Sequence, residues 1–579
     1  MLEIKDNFYM DSEPFKIISG AFHYFRTVPE YWQDRLEKLV NMGCNTVETY
    51  IPWNFHEPEQ GTFLFDGMHD IERFIQLATE LGLYIILRPS PYICSEWEFG
   101  GLPAWLLKQK GMRLRCSYEP YLTAVREYYK VLIPKLVPYQ ADRGGRIIMI
   151  QIENEYGYYG NDTAYLEFLR DTMRELGITV PFVTSDGPWS EPVFRSGQVE
   201  GALPTGNFGS AAEWQFGQMR EFMGENKPLM CMEFWNGWFD AWGEEHHVTT
   251  PEKAGEELEA LLERGSVNFY MFEGGTNFGF MAGRNSGKTT ADVTSYDYDA
   301  PLTEDGQITP KYELFREIIA RYAPVREVAL TTEIKRKAYG RVNCTGKADL
   351  FSVLDRISQP VTAVNPLSME ELDSYYGYIL YRTQIKDNET IKAIQLEKAC
   401  DRVQVYHNSE HILTAFAENI AEKAEIPERS KGGVLDLLCE NIGRENFGQG
   451  LEEQSKGILG GVKVNEHRQY GYEMYPLHLD KEQIGKLEFG KYTEGLPAFY
   501  RFELDIDEPC DTYLNTDGFG KGCAFVNGFN IGRFWEIGPQ RTLYIPAPLL
   551  KKGKNTIILF ETEGKATEFI TLTDRHCLA

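Results

Sequence analysis

Apolar and polar positions follow two different rhythms along this chain, and the change falls near residue 330. Before it, short apolar runs of strand type alternate with stretches whose apolar residues recur every three to four positions, the spacing of one helix face. Ile17 to Phe22 predicts a strand. Trp32, Leu36, Leu39 and Val40 predict the inner face of a helix that starts near Pro29 and ends at Gly43. Further strands are predicted over 45–50, 83–88, 147–152, 181–184, 201–203, 229–232 and 267–272, the one over 201–203 on the weakest pattern. Ile71, Phe74, Ile75, Ala78 and Leu81 form a second helical stripe, another helix spans 121–136, and a closing helix follows Pro310. Strand and helix alternating eight times predict an α/β fold, a (β/α)8 TIM barrel over 1–327. A doubly wound sheet would place a glycine-rich turn after the first strand, and none is there.

Beyond residue 330, short period-two runs such as Val403-Gln404-Val405-Tyr406 and Thr556-Ile557-Ile558-Leu559-Phe560 are separated by Gly, Asn and Pro turns. That patterning predicts all-β sandwiches. The length suits two jelly-roll domains, 328–485 and 486–579. Asn527-Gly528, after Cys523 to Val526, predicts a tight hairpin turn.

The length of 579 residues exceeds one core, which agrees with several domains. A net charge of -27 repels phosphate backbones, so nucleic acid is not an expected partner. No apolar run is long enough to span a bilayer, and the N-terminus lacks the pattern of a secretion signal. The 10 Cys are scattered, with no C-x-x-C pair. Together these features predict reduced thiols in a cytoplasmic protein without a membrane partner. His246 and His247 are adjacent, with no H-E-x-x-H pattern, so neither metal nor cofactor is expected. His23 and His56 are expected to hydrogen-bond at the barrel mouth.

Two stretches carry the chemistry. Ile150-Gln151-Ile152-Glu153-Asn154-Glu155 and Leu229-Met230-Cys231-Met232-Glu233 are apolar strand runs that end in carboxylates. A carboxylate at the end of a buried strand is costly unless paired or used. Barrel active sites lie at the C-terminal ends of the strands. Strand alternation would point Gln151, Glu153 and Glu155 the same way, with Glu155 furthest out and Glu153 one layer deeper in a structural role. Glu155 and Glu233 then supply the two carboxyl groups of a glycosidase, which lie about 5 Å apart when the mechanism is retaining.

The chain resembles glycoside hydrolase family 35, the acid-type β-galactosidases. The resemblance is carried by Gly20 to Arg26, Glu48 to Pro58, Arg88 to Glu98, Gln151 to Gly157, Glu233 to Trp238, Gly274 to Gly279 and Ser295 to Pro301. It extends through Val526 to Trp535 and Gly538-Pro539-Gln540 near the C-terminus. The resemblance implies Glu155 as acid/base and Glu233 as nucleophile. It also implies galactose contacts from Tyr50, Ser95, Glu96, Asn154, Tyr270 and Tyr298, with Trp235 and Trp238 in the pocket wall. Tyr298 would steady the charged form of Glu233, and Trp242 would flank the leaving-group sugar. The β-domains resemble galactose-binding modules and could brace the barrel or support a homo-oligomer. One departure is Glu273, where His or an apolar residue is expected. It would add charge near the site or bind a loop arginine such as Arg284.

The expected substrate is a galactose-containing oligosaccharide or glycan, cleaved from its non-reducing end by double displacement, with β-1,3 linkages favoured. A β-glucosaminidase on the same scaffold is the alternative. A non-catalytic sugar-binding protein would have lost one of the two carboxylates, and both are present. Ala282 to Thr289 resembles a phosphate loop but has Ala282 where glycine is needed.

Overall fold

Eight parallel strands close into a barrel in chain order in the computed structural model, which describes residues 1–89, 91–287, 290–427 and 431–579. They are Ile18–Phe22, Thr46–Tyr50, Tyr84–Arg88, Ile147–Gln151, Phe182–Asp186, Ala202–Phe208, Met230–Trp235 and Ser266–Glu273. The helices stand where the apolar stripes put them. Trp32–Met42 ends at Gly43, which caps it in the left-handed conformation at φ 106°. Ile71–Glu80 begins at Asp70, whose side chain accepts the Arg73 N–H. Leu2 and Phe8, on an N-terminal hairpin, pack against Ile86, Met149 and Met230 of the barrel.

Three of the departures from the predicted strand limits have a reason that matters to the site. The sixth runs on to Phe208 because Thr205 and Asn207 are buried polar residues, which an apolar pattern does not register. The seventh continues past Met232 to Trp235, with a bulge after Cys231. The fourth stops at Gln151. Glu153 and Glu155 then take left-handed conformations, φ 56° and 47°, so strand alternation does not set their directions. The phosphate-loop-like stretch 282–289 lies partly outside the described residues.

The first β-domain is built on a six-stranded antiparallel sheet whose central strands are Tyr378–Thr390 and Lys431–Glu440. Its core gathers Ile379, Tyr381, Val403, Val405, Leu435 and Leu437. In the last domain Ala498–Ile506 pairs with Gly553–Glu561, and Asn527-Gly528 forms the predicted hairpin turn with φ 51° and 87°. Gly340–Asp349, grouped by position with the first β-domain, pairs instead with Ala498–Ile506 and Phe569–Thr573 of the last. The chain therefore enters the last domain, leaves to build the first, and returns.

Both β-domains grip the barrel mouth. Arg444, from the first, is buried between Glu98 of a barrel loop (2.6 Å) and Glu370 (2.5 Å). Two residues on, Asn446 Nδ2 donates to Asn285 Oδ1 at 2.9 Å. From the last domain, the Arg533 carbonyl accepts the Thr294 hydroxyl at 2.7 Å, and Gln540 Oε1 accepts the Ser295 N–H at 2.9 Å. Gly532 permits this approach, since a Cβ there would stand 2.1 Å from Thr294 Cγ2.

Candidate active site

A cavity of about 330 Å³ opens at the C-terminal ends of the barrel strands, and both Glu155 and Glu233 line it. Ser95, Glu96, Asn154, Trp235, Trp238, Tyr270 and Tyr298 line it as well. Each was singled out in the sequence. Tyr50 stands behind this wall, fully buried, with its hydroxyl 2.7 Å from Glu233 Oε1 and 2.9 Å from Asn154 Oδ1.

The two glutamates live in unlike surroundings. Glu233 is met at Oε1 by Tyr50 and by Arg88 Nη2 at 2.6 Å, and at Oε2 by Trp235 Nε1 at 3.1 Å. Charge-assisted donors at both oxygens fix the carboxylate plane and direction. Glu155 receives Asn207 Nδ2 at 3.1 Å, and Tyr158, Trp189 and Phe447 line the same cavity. Burial first, and then the charge of Glu233, hold its carboxyl well above the usual carboxylate range. One carboxyl is thus fixed in direction by three donors, and the other is held as an acid that keeps its proton.

Glu96 is a third carboxyl in the cavity. Burial pushes it up to about 7, against the opposing hydrogen bond from Tyr296 and the charge of Arg26. Cys94, Ser95 and Glu96 all have positive φ, 58°, 58° and 48°. Such non-glycine residues persist only where neighbours over-determine them. Arg26 does so here, donating to the Ser95 hydroxyl at 3.0 Å and its carbonyl at 2.5 Å.

Glu153 turns away from the cavity into a two-point pair with Arg115, at 2.8 and 2.9 Å. Its structural role agrees with the expectation, although the reason is the turned backbone and not strand alternation. Three expectations need correction. The phenol on Glu233 is that of Tyr50, while Tyr298 packs edge-on against Tyr270. Trp242 is buried and does not line the cavity; Trp189 and Phe447 do. Glu273 binds Arg35 (3.0 Å) and Thr27, not Arg284, and stays behind the wall. Arg284 faces Asp401 and Glu445 of the first β-domain. His56 bonds Tyr24 (2.5 Å) and the Leu64 carbonyl, and His23 bonds Arg26, as expected of structural histidines. Among the described residues no group of three or more His, Cys, Asp or Glu could hold a metal, and no helix is long and apolar enough to cross a membrane.

Arg88 and Asn207, which touch the two glutamates, escaped the candidate list. Arg88 was legible as a charged residue closing the third apolar strand run. Asn207 was not, because the sixth strand was read as ending before it.

A closed barrel that presents an anchored carboxylate and a retained acid in one sugar-sized cavity has the arrangement of a glycoside hydrolase. The chain matches "Glycosyl hydrolases family 35" over residues 7–322. It also matches "Beta-galactosidase, first all-beta domain" over 366–478 and "Beta-galactosidase, galactose-binding domain" over 497–555. It is 39% identical to human "Beta-galactosidase-1-like protein 2", covering 97% of this chain and 90% of that one. It is 37% identical to "Beta-galactosidase 17" of Arabidopsis thaliana (97% and 87%) and 38% identical to human "Beta-galactosidase" (96% and 86%). The chain belongs to glycosyl hydrolases family 35.

Proposed function

We propose that the protein is a retaining exo-β-galactosidase that releases terminal galactose from oligosaccharides or glycans. The observation that carries this reading is the unlike pair of glutamates in one cavity. Glu233, oriented by Tyr50, Arg88 and Trp235, attacks the anomeric carbon as the leaving-group oxygen takes a proton from Glu155. Glu155, now ionised, draws a proton from water, and that water releases the sugar from Glu233. Glu96, Asn154 and Tyr270 face the cavity as hydroxyl partners. A sugar lacking the matching hydroxyl would leave these buried groups unpaired, which favours discrimination. A cavity walled on one side by Phe447 of the first β-domain suits a chain end. The ten cysteines are all free, which supports a reducing, cytoplasmic setting. Preference for β-1,3 linkages is part of the same reading.

The test is a panel of aryl glycosides: galactoside, glucosaminide, glucoside and fucoside. The galactoside should be cleaved with the highest kcat/KM. Glu155→Gln and Glu233→Gln should each lower that rate on the order of 10³-fold or more with the fold intact. Preference for the glucosaminide, or normal activity in either variant, would overturn the assignment.

A further inference from the structure

Glu155 follows the fourth barrel strand, but its seat is built by the end of the fifth, Phe182–Asp186. The Ser185 carbonyl accepts the Glu155 N–H at 3.0 Å. Two residues on, the Gly157 N–H donates to Asp186 Oδ1 at 2.8 Å. These bonds straddle the start of the short helical turn Tyr156–Tyr159. The turn rests on the helix that follows the fifth strand, Glu191–Ser196, where a Cβ at position 157 would stand 1.9 Å from the Val193 carbonyl oxygen. The left-handed φ of 47° at Glu155 is thus held in place from the fifth strand and its helix.

The Ser185 side chain governs a second partner of the acid. Its hydroxyl donates to Asn207 Oδ1, while Asn207 Nδ2 donates to Glu155 Oε1 at 3.1 Å. A carboxamide offers an acceptor at one end and donors at the other. With Oδ1 engaged by Ser185, the donor end is the one turned to Glu155. Ser185, Asp186 and Asn207 are all buried, so solvent offers no substitute for these bonds. Burial holds the Asp186 carboxyl well above the usual carboxylate range, so what it offers Gly157 is an uncharged acceptor.

We propose that Ser185 and Asp186 are positioning residues for the acid: Asp186 fixes the turn that aims Glu155, and Ser185 fixes which end of the Asn207 amide meets it. The proposal rests on the galactosidase reading, in which Glu155 gives its proton to the leaving group. Neither residue lines the cavity, so each acts through another group and not on the substrate. Their contribution is to proton transfer, and a leaving group that departs as a stable anion does not draw on it.

The test compares phenyl β-galactoside, whose phenolate needs a proton as it leaves, with 2,4-dinitrophenyl β-galactoside, whose phenolate does not. The measured quantity is kcat/KM, which reports the transition state relative to free enzyme and substrate. Ser185→Ala and Asp186→Ala should each lower it roughly 10-fold for the phenyl substrate and at most about threefold for the dinitrophenyl one. The smaller loss also reports that the variants fold; Ser185→Ala decides alone where Asp186→Ala does not fold. Ser185→Thr and Asp186→Asn, which keep a hydroxyl and an acceptor oxygen, should recover most of the loss. In an Asn207→Ala background, Ser185→Ala should cost little more, because the group it orients is gone. Equal losses on the two substrates, or no loss on the phenyl galactoside in either variant, would overturn the positioning role and leave the galactosidase reading standing. Hydrolysis of neither substrate by the unmodified protein would overturn both.

Discussion

Glu155 and Glu233 differ only in what surrounds them, and that difference assigns their work. The strand pattern disclosed both, because an apolar run closing on a carboxylate is visible in a sequence. It could not show that Arg88, Tyr50 and Asn207 would donate to them, since these come from three other strands. Two predictions belong at this scale. A carboxyl whose folded pKa is raised binds its proton more tightly when folded, so its ionisation opposes folding as pH climbs from the unfolded value through the folded one. Glu155→Gln should accordingly raise Tm, little at pH 4 and by several degrees at pH 8, the equivalent of about 1–3 kcal/mol; a gain independent of pH would contradict the retained acid. The Asn207 N–H favours the charged form of Glu155 at 3.1 Å. In Asn207→Ala the basic limb of the pH–kcat profile should move to higher pH, with kcat down roughly 10-fold. A loss of kcat with an unmoved limb would leave Asn207 a merely structural part.

At the scale of elements, the barrel was legible where helices and strands are amphipathic or uniformly apolar, and blurred where strands approach the site. The sixth strand carries Thr205 and Asn207, the seventh bulges before Glu233, and the fourth breaks at Gln151 into left-handed turns. In each, the requirement to present a polar group at the mouth overrides the pattern that marks a strand. Gly237 shows the same constraint in the loop between Trp235 and Trp238, because a Cβ there would stand 1.8 Å from the Tyr298 carbonyl. The wall element from the first β-domain depends on Arg444, buried between Glu98 and Glu370. Removing one partner of a buried charge network leaves the others uncompensated, at a cost of about 3–5 kcal/mol. Arg444→Met should lower the free energy of unfolding by that amount, read as a lower urea midpoint at unchanged slope, and weaken oligosaccharide hydrolysis through the neighbouring Phe447. A midpoint within error of the parent would show that the network carries no net stability.

For the whole molecule, the change of rhythm near residue 330 correctly announced β-domains. It could not show that Gly340–Asp349 belongs to the last of them, since its partners, Ala498–Ile506 and Phe569–Thr573, are too distant in sequence to leave a local trace. Nor could it show that the last domain holds the loop bearing Tyr296 and Tyr298, through Thr294 with Arg533 and Ser295 with Gln540. A chain cut back to residues 1–335 should therefore lose aryl galactoside activity even where its circular dichroism stays barrel-like; full activity in that fragment would make the β-domains dispensable to the site. The central claim is that Glu233 attacks the sugar while Glu155 serves it with protons. It is tested most directly by incubating the protein with an activated 2-deoxy-2-fluoro-β-galactoside and weighing the product. The account predicts a mass gain of one fluorogalactosyl group, mapped to the peptide that holds Glu233. An adduct on a different residue, or no adduct from an active enzyme that first releases α-galactose, would contradict it.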